Sequence, residues 1–336
     1  MYVLGIESTC DETACAVVQD GQIILSNEVV SQSELHDIYG GVIPELACRR
    51  HIDVIVPVCE KALQQANIKL EDVDLISVSN GPGLIGPLLI GVNFAKSLAL
   101  SLKKPIVGVN HIQAHLYAAT MQKDVPFPCL GVVISGGHTA LVVMHSPYGP
   151  YRLVSETVDD AIGEAFDKVA ALLELPYPGG PKVEQLAMEG NPLRYPFKAG
   201  HVKNKPLHFS FSGLKTNVLY AVKGQNGKKN SESLISTSDK KDVAASFQHT
   251  ALTDLVNKAL LAAELENCKA IVFGGGVSNN QRLRDMLEVS SLPVYFPERS
   301  LTLDNAAMIA GLGYHRYQRY GQEDPLKLSV LTRIPF

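Results

Sequence analysis

The sequence has no Cys-x-x-Cys pair: its six cysteines are Cys10, Cys15, Cys48, Cys59, Cys129 and Cys268. A chain of 336 residues needs no disulfide staples, so reduced thiols in a cytosolic protein fit best. No basic stretch leading into a long apolar run opens the chain, and a secretory leader is not expected. The most apolar window, Leu84 to Leu102, is interrupted by Asn93 and Lys96 and begins among Gly and Pro, so no membrane span is expected. Positive charge is not in surplus either. The formal net charge of −4 excludes a global basic field, although a local patch can still hold RNA. Apolar content of 46% and charged content of 19% describe a globular protein, and the length indicates two domains.

Familiar nucleotide signatures are missing as well. Gly-x-x-x-x-Gly-Lys-Ser/Thr is absent, and Gly81-Pro82-Gly83-Leu84-Ile85-Gly86 matches a dinucleotide loop only superficially. Its proline and apolar residues suit helix packing.

The pattern that is present alternates strands and helices, as in an α/β protein. Tyr2 to Ile6, Ala14 to Val18 and Gln22 to Ser26 read as strands, the last two joined at Asp20-Gly21. A helix begins at Pro44. Leu75 to Ser79 reads as a buried strand and Pro105 to Val109 as another, with a helix ending near Leu102 between them. The pattern then restarts: strands at Leu130 to Ser135, Ala140 to His145 and Tyr151 to Thr157, with helices near Glu164 to Leu173 and Pro181 to Met188. The stretch Lys223 to Lys241 reads as a mobile, solvated loop carrying Lys223, Lys228, Lys229, Lys240 and Lys241. A long helix from Asp242 to Glu266 precedes a strand at Ala270 to Phe273, and a helix starts near Asn279. Asp304 is placed to cap a last helix reaching about Tyr320. Two hairpins with polar loops, each followed by helices, suggest a duplicated architecture.

Two histidines one helical turn apart, His111 and His115, carry the sharpest chemical signal. Residues at i and i+4 share a helix face roughly 5–6 Å apart, a reach that suits two ligands of one metal ion. Three loops end strands with small or polar residues: Ser8 to Thr13, Ser135 to Thr139, and Gly274 to Asn280. Exposed backbone N–H groups at such places favour anions.

Polar hairpin loops and a glycine-rich strand-to-helix turn resemble the actin, Hsp70 and sugar-kinase superfamily. Within it, eight ordered motifs resemble the TsaD family, formerly called Gcp. They are Glu7-Ser8-Thr9-Cys10-Asp11-Glu12-Thr13, Gly40-Gly41-Val42-Ile43-Pro44-Glu45, His111-x-x-x-His115, Ser135-Gly136-Gly137-His138-Thr139, Gly163-Glu164-Ala165-Phe166-Asp167-Lys168, Pro178-Gly179-Gly180-Pro181, Phe209 to Thr216, and Gly275-Gly276-Val277-Ser278. The resemblance implies duplicated actin-like (ribonuclease H-like) α/β domains with a ligand cleft between them. Residues 1–110, with 306–336 packing back, would form one domain, and 111–305, with helical insertions, the other.

The family transfers a threonylcarbamoyl group from threonylcarbamoyl-AMP to the N6 amine of adenosine 37 in tRNAs reading codons that begin with A. The resemblance therefore implies a divalent metal, iron first with zinc as the alternative, on His111, His115 and Asp304. It puts the anionic part of the intermediate near Val133, Ile134, Ser135, Gly136 and Gly137. Ribose and adenine fall against Asp167, Gly180, Glu184 and Asn280. Asp11 and Glu12 are both candidates to orient or accept the amine proton. It also implies a TsaB-like paralogue, a TsaE-like ATPase, a TsaC-type enzyme supplying the intermediate, and a cytoplasmic location without membrane. Two positions depart from the family pattern. Glu184 stands where aspartate is frequent, and Leu303 precedes Asp304 where a small hydroxyl residue is usual. Competing readings are a Mg²⁺-dependent small-molecule kinase, a metalloprotease, and a scaffold. The kinase has no use for paired histidines. The protease would need a glutamate where Ile112 and Gln113 stand. A scaffold needs no metal site.

Overall fold

The computed structural model describes residues 1–38, 41–228 and 231–334. Gly40 and Lys229 therefore lie outside the described residues. The chain forms two compact units: 1–124 with 147–149 and 297–336, and 125–146 with 150–296. These divisions fall at 124 and 296, whereas the sequence placed them at 110 and 305.

In the first unit, β1 (Tyr2–Glu7), β2 (Glu12–Gln19), β3 (Ile23–Ser31), β4 (Leu75–Gly81) and β5 (Ile106–Asn110) form a sheet in the order β3-β2-β1-β4-β5. The first three strands are antiparallel, and β1, β4 and β5 are parallel. Helices α1 (Ser33–Asp37), α2 (Pro44–Ala66), α3 (Ile85–Leu102) and α4 (His111–Thr120) accompany it. Pro44 starts α2, and Asn67, in the left-handed region at φ 54°, ends it. Alternating strand residues divide between two cores. Leu4, Ile6, Val17, Ile76 and Val78 pack with Val58, Ala62, Val92 and Ala95 of α2 and α3. By length and composition α3 could cross a membrane, but its Leu88, Val92, Ala95 and Ala99 are buried in this unit.

The second unit repeats the plan. Its sheet contains β6 (Cys129–Ile134), β7 (Thr139–Met144), β8 (Tyr151–Glu156), β9 (Ile271–Gly274) and β10 (Val294–Tyr295) in the order β10-β9-β6-β7-β8. Read from the other edge, this is again an antiparallel meander whose first strand pairs with a parallel neighbour. Around it stand α5 (Ile162–Leu172), α6 (Gly179–Ala187), α7 (Ser212–Lys223), α8 (Thr237–Leu265) and α9 (Gln281–Leu287). One core joins Leu130, Val132, Ile134 and Phe273 to Phe166, Leu214, Phe247 and Leu255. The duplication inferred from hairpin pattern is thus a shared sheet topology.

The last helix, α10 (Ala306–Tyr320), belongs to the first unit. Its Ala306, Ala307 and Ala310 join Val3, Ala14, Ala16 and Val109 with Ala114 and Tyr117 of α4 in the second core of that unit. A Cβ on Gly5 would sit 2.3 Å from the Ala306 carbonyl oxygen, so glycine is what lets α10 lie against β1. This shared core is why α4 falls with the first unit and not the second.

The loop expected over Lys223 to Lys241 is shorter than the sequence suggested. Helix α8 begins at Thr237, where Ser236 and Asp239 form a capping box. Lys223 is buried and donates to the Ser231 carbonyl (2.6 Å), while Lys240 and Lys241 pair with Glu174 and Glu189. Only Lys228 of the described lysines keeps the solvated character expected of all five.

Candidate active site

The first unit brings its histidines to the ends of parallel strands. Asn110, the last residue of β5, caps α4 by accepting from the N–H groups of Ile112 (2.9 Å) and Gln113 (3.2 Å). His111 is therefore fixed in the first helical turn and His115 lies one turn on. Their rings stand edge to face, with centroids 4.6 Å apart. Both Nε2 atoms converge on Asp304 Oδ1, at 3.5 Å from His111 and 3.1 Å from His115. One ligand atom from each of the three residues lies within 4.8 Å of the others.

The sequence offered two roles for Asp304, and the structure assigns the cap elsewhere. Asn305 caps α10, its side chain accepting from Met308 N–H at 3.0 Å. Leu303, where a hydroxyl residue is usual, is exposed.

Glu7, at the end of β1, was missed as a functional residue. It is fully buried, and its carboxylate accepts from His111 Nδ1 (2.9 Å) and from Thr9 N–H (2.7 Å). A carboxylate on Nδ1 fixes the imidazole tautomer and leaves Nε2 as the ligand atom. The sequence signal was only a strand-terminal acid inside a motif, without a visible partner. Burial opposes charge on His111, but Glu7 and Asp304 outweigh it and lift its pKa to about 9. The field that retains a proton there suits a cation, so the residues present fit a metal ion. His115 differs, because its Nδ1 is buried without a hydrogen-bond partner.

Cys10, Asp11 and Glu12 share this electrostatic neighbourhood. Burial, then the charges of Asp11 and Asp304, push the Glu12 carboxyl well above the usual carboxylate range, although the Ser31 hydroxyl (3.1 Å) pulls it down. The same order of causes raises the Cys10 thiol.

In the second unit, β6 delivers Val133 and Ile134 to the turn Ser135–Thr139. Ser135 N–H donates to the His138 carbonyl (2.9 Å), and the Ser135 carbonyl accepts from Gly163 N–H (3.2 Å) at the start of α5. Gly136 and Gly137 are exposed at the tip, with nothing within 4 Å of where a side chain would begin. Gly275, at φ +96°, lies beside this turn: a Cβ there would stand 2.5 Å from the Ile134 carbonyl oxygen. Two of the three sequence-predicted anion loops thus meet at the ends of the parallel strands β6 and β9.

The residues that the resemblance put against ribose and adenine brace their own elements. Asp167 Oδ1 accepts from Gly179 (2.8 Å) and Gly180 (3.3 Å) N–H groups, tying α5 to the start of α6. Glu184 Oε1 accepts from Gln281 N–H at 2.6 Å. Asn280 caps α9 through Leu283 N–H (3.0 Å), and its Nδ2 donates to Gln248 Oε1 (2.9 Å). Asp167 is thereby set beside Gly180, and Glu184 beside the neighbour of Asn280.

The chain matches known proteins along nearly all its length. A family model described as "TsaD: tRNA N6-adenosine threonylcarbamoyltransferase" matches residues 23–311. A protein of that name from Protochlamydia amoebophila is 59% identical over 100% of this chain and 98% of its own length. Another from Chlamydia pneumoniae is 50% identical over 95% and 92%. Among solved structures, T. kodakarensis HypF has a TM-score of 0.63 at 14% identity, covering 95% of this chain and 48% of its own. Component A of (R)-2-hydroxyglutaryl-CoA dehydratase from Acidaminococcus fermentans gives 0.55 at 15%, covering 95% and 100%. These two support the actin-like fold alone. With its matched motifs and its metal-capable triad, the chain belongs to the TsaD family of tRNA N6-adenosine threonylcarbamoyltransferases.

Proposed function

We propose that this chain transfers the threonylcarbamoyl group of threonylcarbamoyl-AMP to the N6 amine of adenosine 37 in tRNAs reading codons that begin with A. The observation that carries the reading is the convergence of His111, His115 and Asp304, backed by Glu7, in a chain matched end to end by a relative of that name. The amine attacks the carbamoyl carbon, the bond from that carbon to the phosphate oxygen breaks, and AMP departs with the electron pair. The amine proton goes to a carboxylate of the first loop. Asp11 and Glu12 are both candidates, side by side on the first loop of the unit that carries the two histidines. Adenine amines are poor nucleophiles, so positioning supplies much of the rate.

His111, His115 and Asp304 would hold one divalent metal, Fe²⁺ first and Zn²⁺ as the alternative. When bound it supplies Lewis-acid stabilisation of charge growing on phosphate or carbonyl oxygens. The turn Val133–Gly137 receives the phosphate on its backbone. Asp167, Gly180, Glu184 and Asn280 form the wall for ribose and adenine. A TsaB-like paralogue and a TsaE-like ATPase assist, a TsaC-type enzyme supplies the intermediate, and the setting is the cytoplasm.

The test is reconstitution with those partners, threonylcarbamoyl-AMP and unmodified tRNA, followed by nucleoside analysis. The expected product is threonylcarbamoyladenosine. Steady ATP turnover with a sugar or acetate, and no modified nucleoside, would establish the kinase reading instead.

A further inference from the structure

We propose that the irregular segment from 188 to 211 in the second unit is the surface that grips the phosphate backbone of the tRNA. The inference rests on the tRNA reading above and adds what that reading leaves open, namely which residues hold the nucleic acid.

The sequence segregates charge here more sharply than its net charge of −4 suggests. From Gly190 to Ser231 there is no Asp or Glu, although the whole chain has 34 acids in 336 residues, about one in ten. The same stretch holds eight Lys and Arg residues. Four of them, Arg194, Lys198, Lys203 and Lys205, are exposed on the segment between α6 and α7. Among the described residues, none of the four has a carboxylate within 4.0 Å. Lysines around them are committed: Lys215 to Asp160, Lys240 to Glu174, Lys241 to Glu189, Lys258 to Asp254. Exposed cations left without carboxylates are what a phosphate backbone recruits.

The segment is also held in shape. Between Ala187 and Ser212 it contains no helix or strand beyond one bridge, Phe209 with Thr157. Irregular stretches longer than roughly 12–15 residues inside a compact unit are usually functional or disordered. This one is pinned at both ends. Asn191 N–H donates to Asp242 (2.7 Å), Tyr195 N–H to the Ser246 hydroxyl (3.2 Å), and the Ser210 hydroxyl to Asp159 (2.6 Å). Aromatic rings interleave with the cations: Tyr195 and Phe197 stack with centroids 5.6 Å apart. They line a groove of about 450 Å³ against α8, together with Leu193, His249, Thr250 and Asn257. A groove with aromatic walls suits one unpaired base, the part of RNA that aromatic side chains recognise. At its far end the segment reaches the anion loop: Val158 N–H donates to the Phe209 carbonyl (2.9 Å) and Thr157 N–H to the Thr139 carbonyl (2.9 Å).

The test compares wild type with the variant Arg194→Gln, Lys198→Gln, Lys203→Gln, Lys205→Gln, and with a control, Lys69→Gln and Lys103→Gln, in the first unit. Equilibrium binding of unmodified tRNA is measured across a salt series, alongside product formation with saturating threonylcarbamoyl-AMP. The quadruple variant should bind tRNA about tenfold more weakly or worse, and its log–log salt slope should fall by about three, close to one per lost phosphate contact. Its kcat at saturating tRNA should match wild type while its KM for tRNA rises, and the control should match throughout. An unchanged tRNA Kd and slope overturn the proposal. So does loss of binding to a protein partner while tRNA binding stands. If wild type binds tRNA without forming product, the functional reading fails on its own, and the binding comparison still judges this surface.

Discussion

Replacing Glu7 by glutamine is the most incisive single change, because it alters one atom type in a fully enclosed position. The native carboxylate accepts twice, from Thr9 N–H at 2.7 Å and from His111 Nδ1 at 2.9 Å. An amide offers only one acceptor oxygen. If that oxygen keeps Thr9, the NH2 group faces His111 Nδ1, which must then accept, and the ring proton moves to Nε2. Nε2 is the atom aimed at Asp304, 3.5 Å away, so the ligand lone pair is lost. If the amide turns over, the Thr9 N–H loses its partner in a buried site. Either route also removes the negative charge that leads in lifting His111 to a pKa of about 9 against burial. Loss of such a backing carboxylate typically costs 10–100-fold in metal affinity, about 1.4–2.7 kcal/mol. The assay is competition for Fe²⁺ or Zn²⁺ against a chelator of known affinity, with circular dichroism to verify folding. A folded Glu7→Gln protein binding metal within threefold of wild type would refute the reasoning.

Further outcomes follow from neighbouring geometry. Asn305→Ala should destabilise the protein by about 1 kcal/mol in denaturant titration through loss of the α10 cap, and leave metal binding intact. Asp304→Ala should do the reverse, abolishing stoichiometric metal binding at little cost to the helix. Gly275→Ala puts a Cβ 2.5 Å from the Ile134 oxygen at φ +96°, so it should raise the KM for threonylcarbamoyl-AMP several-fold by displacing the anion turn. Burial resists ionisation of Asp160, but Lys215 and Lys168 prevail and hold its pKa below the usual value. Its contribution to stability is therefore present above the unfolded carboxylate pKa, near 3.9, and fades as pH falls through the folded value. Asp160→Asn should flatten the loss of thermal stability in that acid range.

The strands were legible because their signal is local. Tyr2–Glu7, Leu75–Gly81 and Tyr151–Glu156 agree within a residue or two with the expected runs, the first two being short, largely apolar segments buried almost throughout. The paired histidines were legible for the same reason, as four-residue spacing on one helix. Helix α7 was not read as a helix because its start, Ser212, lies within a motif rich in serine and glycine, and Asp159 satisfies its first N–H groups from far away in sequence. Glu7 was invisible for a related cause: its partner is 104 positions away, brought close only by the parallel pairing of β1 and β5 with β4. Asp304 and Asn305 are both good capping residues, and only coordinates place the cap on Asn305 and the Asp304 carboxylate beside His111 and His115. The cation-bearing segment from 188 to 211 stayed hidden behind an acidic total, because net charge averages over the surface.

The central claim is that transfer to tRNA depends on a metal held by His111, His115 and Asp304. Its most direct measurement is threonylcarbamoyladenosine formation by chelator-stripped enzyme, before and after adding back Fe²⁺ or Zn²⁺, for wild type and His115→Ala. Wild type should lose product on stripping and regain it with one metal per chain, while His115→Ala stays folded and inactive with or without added metal. Full product from the stripped wild type, or from His115→Ala, would contradict the account.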